Sequence, residues 1–378
     1  MEFNVDNGLI VETVEIISNV ISNKNANPAL TGIMLRCNEG KVVLVGYDGN
    51  AAIKKVLTDI EIVEEGKCLI SCAMLKSILT KFKNQTTNFK KNNNILEVKN
   101  GRSTYKINLI DDTTYPNIEF KKLDNELVIN NDEMLDILST TSVACAVANK
   151  KPILTGVNFK MEGKQLSAVA TDSFRLAKVI KNFDDLEQDY NFNFTIPNNA
   201  IKTLIKISNK VDTPNISLLW NNNTNDILFK IKDILFKTRM MDGVYPEISK
   251  IINFNYRQLI KVSKKALLES LDRICVLDSG KDLARHIASL KQDSEKDLLL
   301  NSISNEGTCI EYIENYEIVN DYDEQMKIVF SAENLIEALK TFETDDVEIM
   351  INTDARPMLI VDDTRNKIQL ILPIKPEN

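Results

Sequence analysis

Lys202, Lys206 and Lys210 recur every four residues in the run NNAIKTLIKISNK. At that spacing side chains share one face of an α-helix, so three ammonium groups would line up there while the apolar residues of the run turn the other way. Their chemistry is electrostatic: a row of cations attracts an anionic surface without transforming it. On one helix such lysines simply solvate an exposed face. Similar segments elsewhere carry Lys76, Lys81, Lys83, Lys264, Lys265, Arg273 and Lys340, and that repetition gives the cations a shared task.

Covalent chemistry finds little support. The chain contains neither a G-x-x-x-x-G-K-[ST] phosphate loop nor a serine elbow, and its one histidine, His286, cannot supply a metal cluster. Asp48 and Asp172 occupy equivalent places in two copies of a repeat, so they are expected far apart and not as a catalytic pair. Cys68 and Cys72 lack a second close cysteine pair; the six cysteines read as buried free thiols. No catalytic residue, metal or cofactor is therefore expected. The net charge of −8, from 46 basic and 54 acidic residues, excludes a uniformly basic coat but permits one basic face. The start MEFNVDNGLIVE lacks signal-peptide features and no apolar run approaches the ~20 residues of a membrane span, which predicts a cytoplasmic protein.

The elements that must position these residues follow from the repeat. NPALTGIMLRCNEGKVVLVGYDGNAAI reappears as KPILTGVNFKMEGKQLSAVATDSFRLA, with Pro28 and Pro152, like Asp48 and Asp172, 124 residues apart. That period is domain-sized, beyond the roughly 20–50 residues of solenoid repeats. CLISCAMLKSILTKF, FTIPNNAIKTLIKIS and IVFSAENLIEALKTF share a strand, a polar break and a helix, and Tyr115-Pro116 and Tyr245-Pro246 mark matching unit ends. The pattern predicts an α+β chain of three similar domains, 1–122, 125–251 and 253–378, each a pair of strand–helix–strands modules. Within the first, Gly32–Cys37, Val42–Tyr47 and Ala52–Ile60 are expected strands, and Met74, Leu75, Ile78, Leu79 and Phe82 the apolar stripe of a helix. Acid-rich DIEIVEEG, NFDDLEQD and YIENYEIVNDYDEQ would leave the sheet side negative.

ATDSFRLA, the two LTG turns, DGVYPEI and the terminal QLILPIK together resemble the bacterial DNA polymerase III beta subunit, the replicative sliding clamp, over essentially the whole chain. The resemblance implies the DNA clamp fold and a head-to-tail dimeric ring of six domains, helices inside and sheets outside. It further implies a processivity factor, not an enzyme, that encircles duplex DNA without reading sequence. Its implied partners are a second copy, the replicative polymerase alpha subunit, the clamp loader, and other polymerases and repair proteins carrying a clamp-binding peptide; no membrane is involved. A multidomain protein-binding adaptor that never encircles DNA is the alternative.

By the same resemblance, DNA contacts fall at Lys24, Asn149, Lys150 and Ile153. Ala73, Asn198 and Asn199 stand where relatives often carry basic residues, and Lys76, Lys202 and Lys206 would compensate. The partner-peptide pocket would comprise Leu154, Thr171, Ser173, Phe174, Arg175, Leu176, Pro246, Ile251, Leu370, Ile371, Leu372, Pro373 and Ile374. Ring closure would set Tyr105 and Ile107 against Val276 and Leu277. The first repeat copy has Gly49-Asn50-Ala51 where the second has Ser173-Phe174-Arg175, so no second pocket is expected there. Asp172 reads as a turn residue, and Arg175 could equally anchor an ion pair.

Overall fold

A computed structural model describes residues 1–121, 123–221, 223–252, 256–277, 286–293, 297–304, 307–320, 326–352 and 356–374. Seven α-helices occur among them: α1 (Asn7–Ile17), α2 (Cys72–Leu79), α3 (Asn131–Ser142), α4 (Asn198–Ser208), the short α5 (Ser249–Ile252), α6 (Lys264–Ile274) and α7 (Ala332–Leu339). All but α5 follow directly on a strand: Glu2–Asp6, Gly66–Ser71, Asn125–Asn130, Tyr190–Pro197, Gln258–Ser263 and Lys327–Ser331. The switch is local chemistry. Asp6, Ser71, Ser263 and Ser331 end their strands and accept from the backbone N–H three residues on, satisfying donors that the first helical turn leaves unpaired. Asn130 does the same for α3, accepting from Glu133 N at 3.3 Å and also from Asp132 N at 2.9 Å.

The chain separates into two compact units, residues 1–135 with 199–240, and 136–198 with 241–378. The first contains a five-stranded antiparallel sheet in the order Glu61–Glu64, Glu2–Asp6, Thr86–Asn92, Ile95–Asn100, Ser103–Asn108. Its eight-stranded sheet runs Asn125–Asn130, Asn215–Trp220, Asp226–Ile231, Ile234–Arg239, Ala52–Leu57, Lys41–Tyr47, Gly32–Asn38, Gly66–Ser71. Helix α1 buries Ile10, Val14, Ile16 and Ile17 against α2 and the strands Lys41–Tyr47 and Ala52–Leu57. Lys55, buried in the last of these, reaches Glu12 of α1 at 3.1 Å, a pairing that a buried ammonium requires.

The second unit contains a nine-stranded sheet ordered Tyr190–Pro197, Gly156–Gly163, Gln165–Thr171, Arg175–Asn182, Lys367–Ile371, Met358–Val361, Asp346–Ile351, Gln258–Ser263, Tyr316–Asn320. A four-stranded sheet adds Gly307–Tyr312, Leu298–Ser304, Ile287–Gln292 and Lys327–Ser331. Between these sheets α6 and α7 bury Leu267, Leu271, Leu335 and Leu339 with Phe330 and Ile349. In both units, strands distant in sequence close one sheet: Phe236 pairs with Ile53, and Leu370 with Leu176.

Several expectations change. The single strand foreseen over Ala52–Ile60 breaks after Leu57 and resumes at Glu61–Glu64; Asp59 turns the chain with a positive φ of 58°, a conformation that aspartate tolerates better than most residues. Met74 is exposed, so the buried stripe of α2 is Cys72, Leu75 and Leu79. Lys210 lies beyond α4 and is paired to Glu15 at 2.8 Å. Lys264 donates to the Phe342 carbonyl at 2.8 Å, and Arg273 reaches Glu311 of a strand at 2.8 Å. These three cations are therefore committed within the protein.

Candidate nucleic-acid interface and partner pocket

In the first unit, Lys202 and Lys206 stand exposed on α4, opposite buried Ala200, Ile201, Leu204 and Ile207. Lys76 of α2 donates to Ser18 Oγ at 3.2 Å. Lys210 holds the Glu15 carboxyl below the usual carboxylate range, with a smaller contribution from Lys76; the cations on α2 and after α4 thus act on one acidic group at the end of α1. Lys24 is exposed in the loop after α1.

In the second unit Asn149 Oδ1 accepts from Lys151 N at 2.9 Å, forming the turn that presents exposed Lys150. Ile153 departs from expectation. It is buried with Ala146 and Leu154, because the 3-10 turn Pro152–Thr155 points it inward, so its side chain is core and not a phosphate contact. Fully exposed Val147, in the same loop, was not foreseen; no periodicity marks a lone apolar residue in a loop.

Several of the residues expected in the partner pocket lie at or near the Asp172 turn of the second unit. Asp172 Oδ1 accepts from Phe174 N at 2.8 Å and Arg175 N at 2.9 Å, while Oδ2 pairs with Arg175 Nε at 3.1 Å. Arg175 also pairs with Glu337 of α7, so the arginine is a brace between turn and helix. Thr171 closes the loop by donating to the Arg175 carbonyl at 2.6 Å.

Tyr245, not foreseen as a site residue, accepts from Thr171 N at 3.0 Å and packs on two apolar clusters. One contains Leu154; the other contains Val169, Leu176, Leu359 and Leu370 with half-buried Ile248 and Leu372. Burial pushes its phenol pKa upward. Leu372 N donates to the Phe174 carbonyl at 2.9 Å, and Ile374 N donates to Val329 O at 2.8 Å. Phe174 at 62%, Val244 at 90% and Ile251 at 44% exposure leave apolar surface at the rim; Pro246 is also exposed and Pro373 half-buried. Such apolar rims mark interaction sites.

Ile371 is a correction. Strand alternation sends it away from Leu370, into the core around Phe330 and Leu335. It supports the strand and does not share the apolar cluster of Leu370 and Leu372.

At the first unit's sheet edge, Tyr105 is 43% exposed and stacks obliquely on Phe82 at 5.7 Å. Ile107 is only 5% exposed; as an edge contact it is corrected to a core residue. In the second unit Val276 is 76% exposed, while Leu277 closes a 3-10 turn and its side chain lies outside the described residues. Ile310 and Tyr312 on the edge strand Gly307–Tyr312 are 54% and 58% exposed and were not singled out.

Three domain descriptions match the chain in succession. The N-terminal domain of the DNA polymerase III beta subunit matches residues 1–119, its central domain 128–247, and its C-terminal domain 249–375. The chain belongs to the DNA polymerase III beta subunit family. The beta sliding clamp of Bacillus subtilis is 28% identical over 99% of this chain and 100% of its own, and that of Mycoplasma capricolum is 27% identical over 99% of each. A crystal structure of the Bacillus subtilis DNA polymerase sliding clamp superposes with a TM-score of 0.91 at 25% identity, covering 100% of both chains. This beta subunit relative thus has the three-domain DNA clamp fold and is a non-catalytic processivity clamp of DNA replication, with DNA and polymerase as partners.

Proposed function

We propose that two copies of this chain close head to tail into a ring of six domains, bounded in each copy at 1–122, 125–251 and 253–378, around duplex DNA. Helices line the hole and sheets face outward. The observation that carries this reading is a pair of open sheet edges. Among the described residues Ser103–Asn108 pairs only with Ile95–Asn100, and Gly307–Tyr312 only with Leu298–Ser304. Unpaired edges with exposed apolar side chains invite another strand, and joining one copy's first edge to its partner's second would satisfy both, with Tyr105 near Val276, Ile310 and Tyr312.

Lys24, Lys150, Lys202 and Lys206, with Lys76, then meet phosphates loosely. Contacts of that kind position without reading bases and let the ring slide. The apolar surface around Leu154, Leu176, Leu370 and Leu372, rimmed by Phe174, Pro246 and Ile251, receives a short peptide from the polymerase alpha subunit, the clamp loader, other polymerases or repair proteins. Apolar walls with a few fixed polar groups suit such a ligand. Replication places the protein in the cytoplasm. Sedimentation should give a mass near twice 42.8 kDa, and protein loaded by a clamp loader should stay on circular DNA but run off linear ends. A strict monomer, or equal retention on both, would sink the ring and favour an adaptor.

A further inference from the structure

The repeat makes the first unit a test of what the partner pocket requires. Asp48 Oδ1 accepts from Asn50 N and Ala51 N, both at 2.7 Å, as Asp172 does from Phe174 N and Arg175 N. Tyr47 pairs with Ala52 as Thr171 pairs with Leu176. Tyr115 packs with Val45 and Ile118, as Tyr245 packs with Val169 and Ile248. The neighbouring strand is duplicated too: Lys237 stands opposite Ala52 where Leu370 stands opposite Leu176, and two residues on Arg239 corresponds to Leu372.

Contrary to the sequence expectation, this copy forms a cavity, of about 340 Å³, lined by Tyr47, Asn50, Ala52, Ile118, Lys237 and Arg239 among others. A second cavity of about 170 Å³ continues from it, sharing Glu119, Asp226 and Lys237 and adding Phe120, Leu123 and Leu228. The groove is therefore elongated, with Arg239 at one end and Phe120, Leu123 and Leu228, beside Lys121 and Thr224, at the other. Ala52, where the other copy has leucine, opens the floor.

Charge pairing decides what fits. Lys237 is bound to Asp226 at 2.7 Å and Glu119 to Lys121 at 2.8 Å. Arg239 is exposed and has no ion pair among the described residues, leaving one uncommitted guanidinium, the group best suited to hold a carboxylate with two hydrogen bonds.

We infer that this groove is a second peptide-binding site, selective for a short extended segment with an acidic residue at Arg239 followed by apolar residues against Ile118, Phe120 and Leu228. The inference rests on the proposed peptide-binding role of the equivalent pocket. It gives each chain two sites of one framework and opposite preference, one apolar and one acidic.

The test uses full-length protein with methyl-labelled isoleucine and leucine, titrated with acetyl-Glu-Ala-Leu-Leu-amide to about 1 mM, a concentration suited to weak binding. The Ile118 and Leu228 methyls should shift, and still do so in the Leu154→Ala, Leu372→Ala variant. Arg239→Glu, at an exposed position, should abolish those shifts while leaving any at Leu176 and Leu370. Replacing the peptide's Glu by Gln should weaken binding about tenfold, the loss of one modest charge pair. Unmoved Ile118 and Leu228, shifts that persist in Arg239→Glu, or equal shifts with the oligonucleotide dT4 would overturn the inference. If only the Leu176 and Leu370 shifts are missing, the other pocket fails and this one stands.

Discussion

Ser173 has φ at 81°, whereas Gly49, its counterpart in the first repeat copy, sits at 109°. A side chain in the left-handed region costs about 1 kcal/mol or more that glycine avoids, partly offset by glycine's larger entropy loss on folding. Ser173→Gly should therefore stabilise the turn by roughly 0.5 kcal/mol, read as a higher urea midpoint; a lower midpoint would mean that the serine is favoured there. Arg175 is the opposite case. Its side chain is 17% exposed and holds Asp172 and Glu337, so Arg175→Ala should cost about 1–2 kcal/mol. Arg175→Lys should recover little of it, since an ammonium cannot reproduce the two-armed fork. Equal midpoints for wild type and Arg175→Lys would argue that charge alone holds the turn.

Elements were the most legible level, because strand-to-helix switches are marked by capping residues such as Asp6, Ser71 and Ser331 at the strand ends, and by apolar periods that change there. Edges were not. Alternation assigns Tyr105 and Ile107 to one face of a strand, yet only the sheet shows that Tyr105 is exposed and Ile107 covered. Likewise QLILPIK shows neither that Leu370 and Ile371 enter different cores nor which strand they pair with. The pocket turn was readable at Asp172, whose bonds are local, while Tyr245 reaches it across 74 residues. These distinctions set a test of the closing contact. Ile107→Asp buries a charge and should destabilise the first unit by ~3 kcal/mol or more, a folding defect and not a clean loss of pairing. Ile310→Lys with Tyr312→Lys alters exposed positions only. That variant should keep its thermal midpoint yet dissociate at least ~30-fold more readily, as loss of an interface hot spot does, by sedimentation over a concentration series. A dimer of unchanged affinity would remove Gly307–Tyr312 from the interface.

For the whole molecule the question is how a chain of net charge −8 stays on a polyanion. Pairing supplies part of the answer: Lys210, Lys237 and Lys55 are tied to Glu15, Asp226 and Glu12, whereas Lys202 and Lys206 stand exposed on one helix face. In the proposed ring a few loose cations would give weak, salt-sensitive affinity, and topology would supply the retention. The two contributions separate experimentally. On short linear duplexes each phosphate-contacting lysine adds about 0.9 to the slope of log affinity against log salt. Lys24→Ala, Lys150→Ala and Lys202→Ala together should therefore weaken low-salt binding and flatten that slope by ~0.9 for every lysine engaged. The same variant, once loaded on a closed circle, should persist through a high-salt wash as wild type does, because a ring leaves only by opening or by reaching an end. An unchanged slope on linear DNA would take these lysines out of the channel. Loss from the circle at high salt in both proteins would show that charge, and not enclosure, holds the clamp.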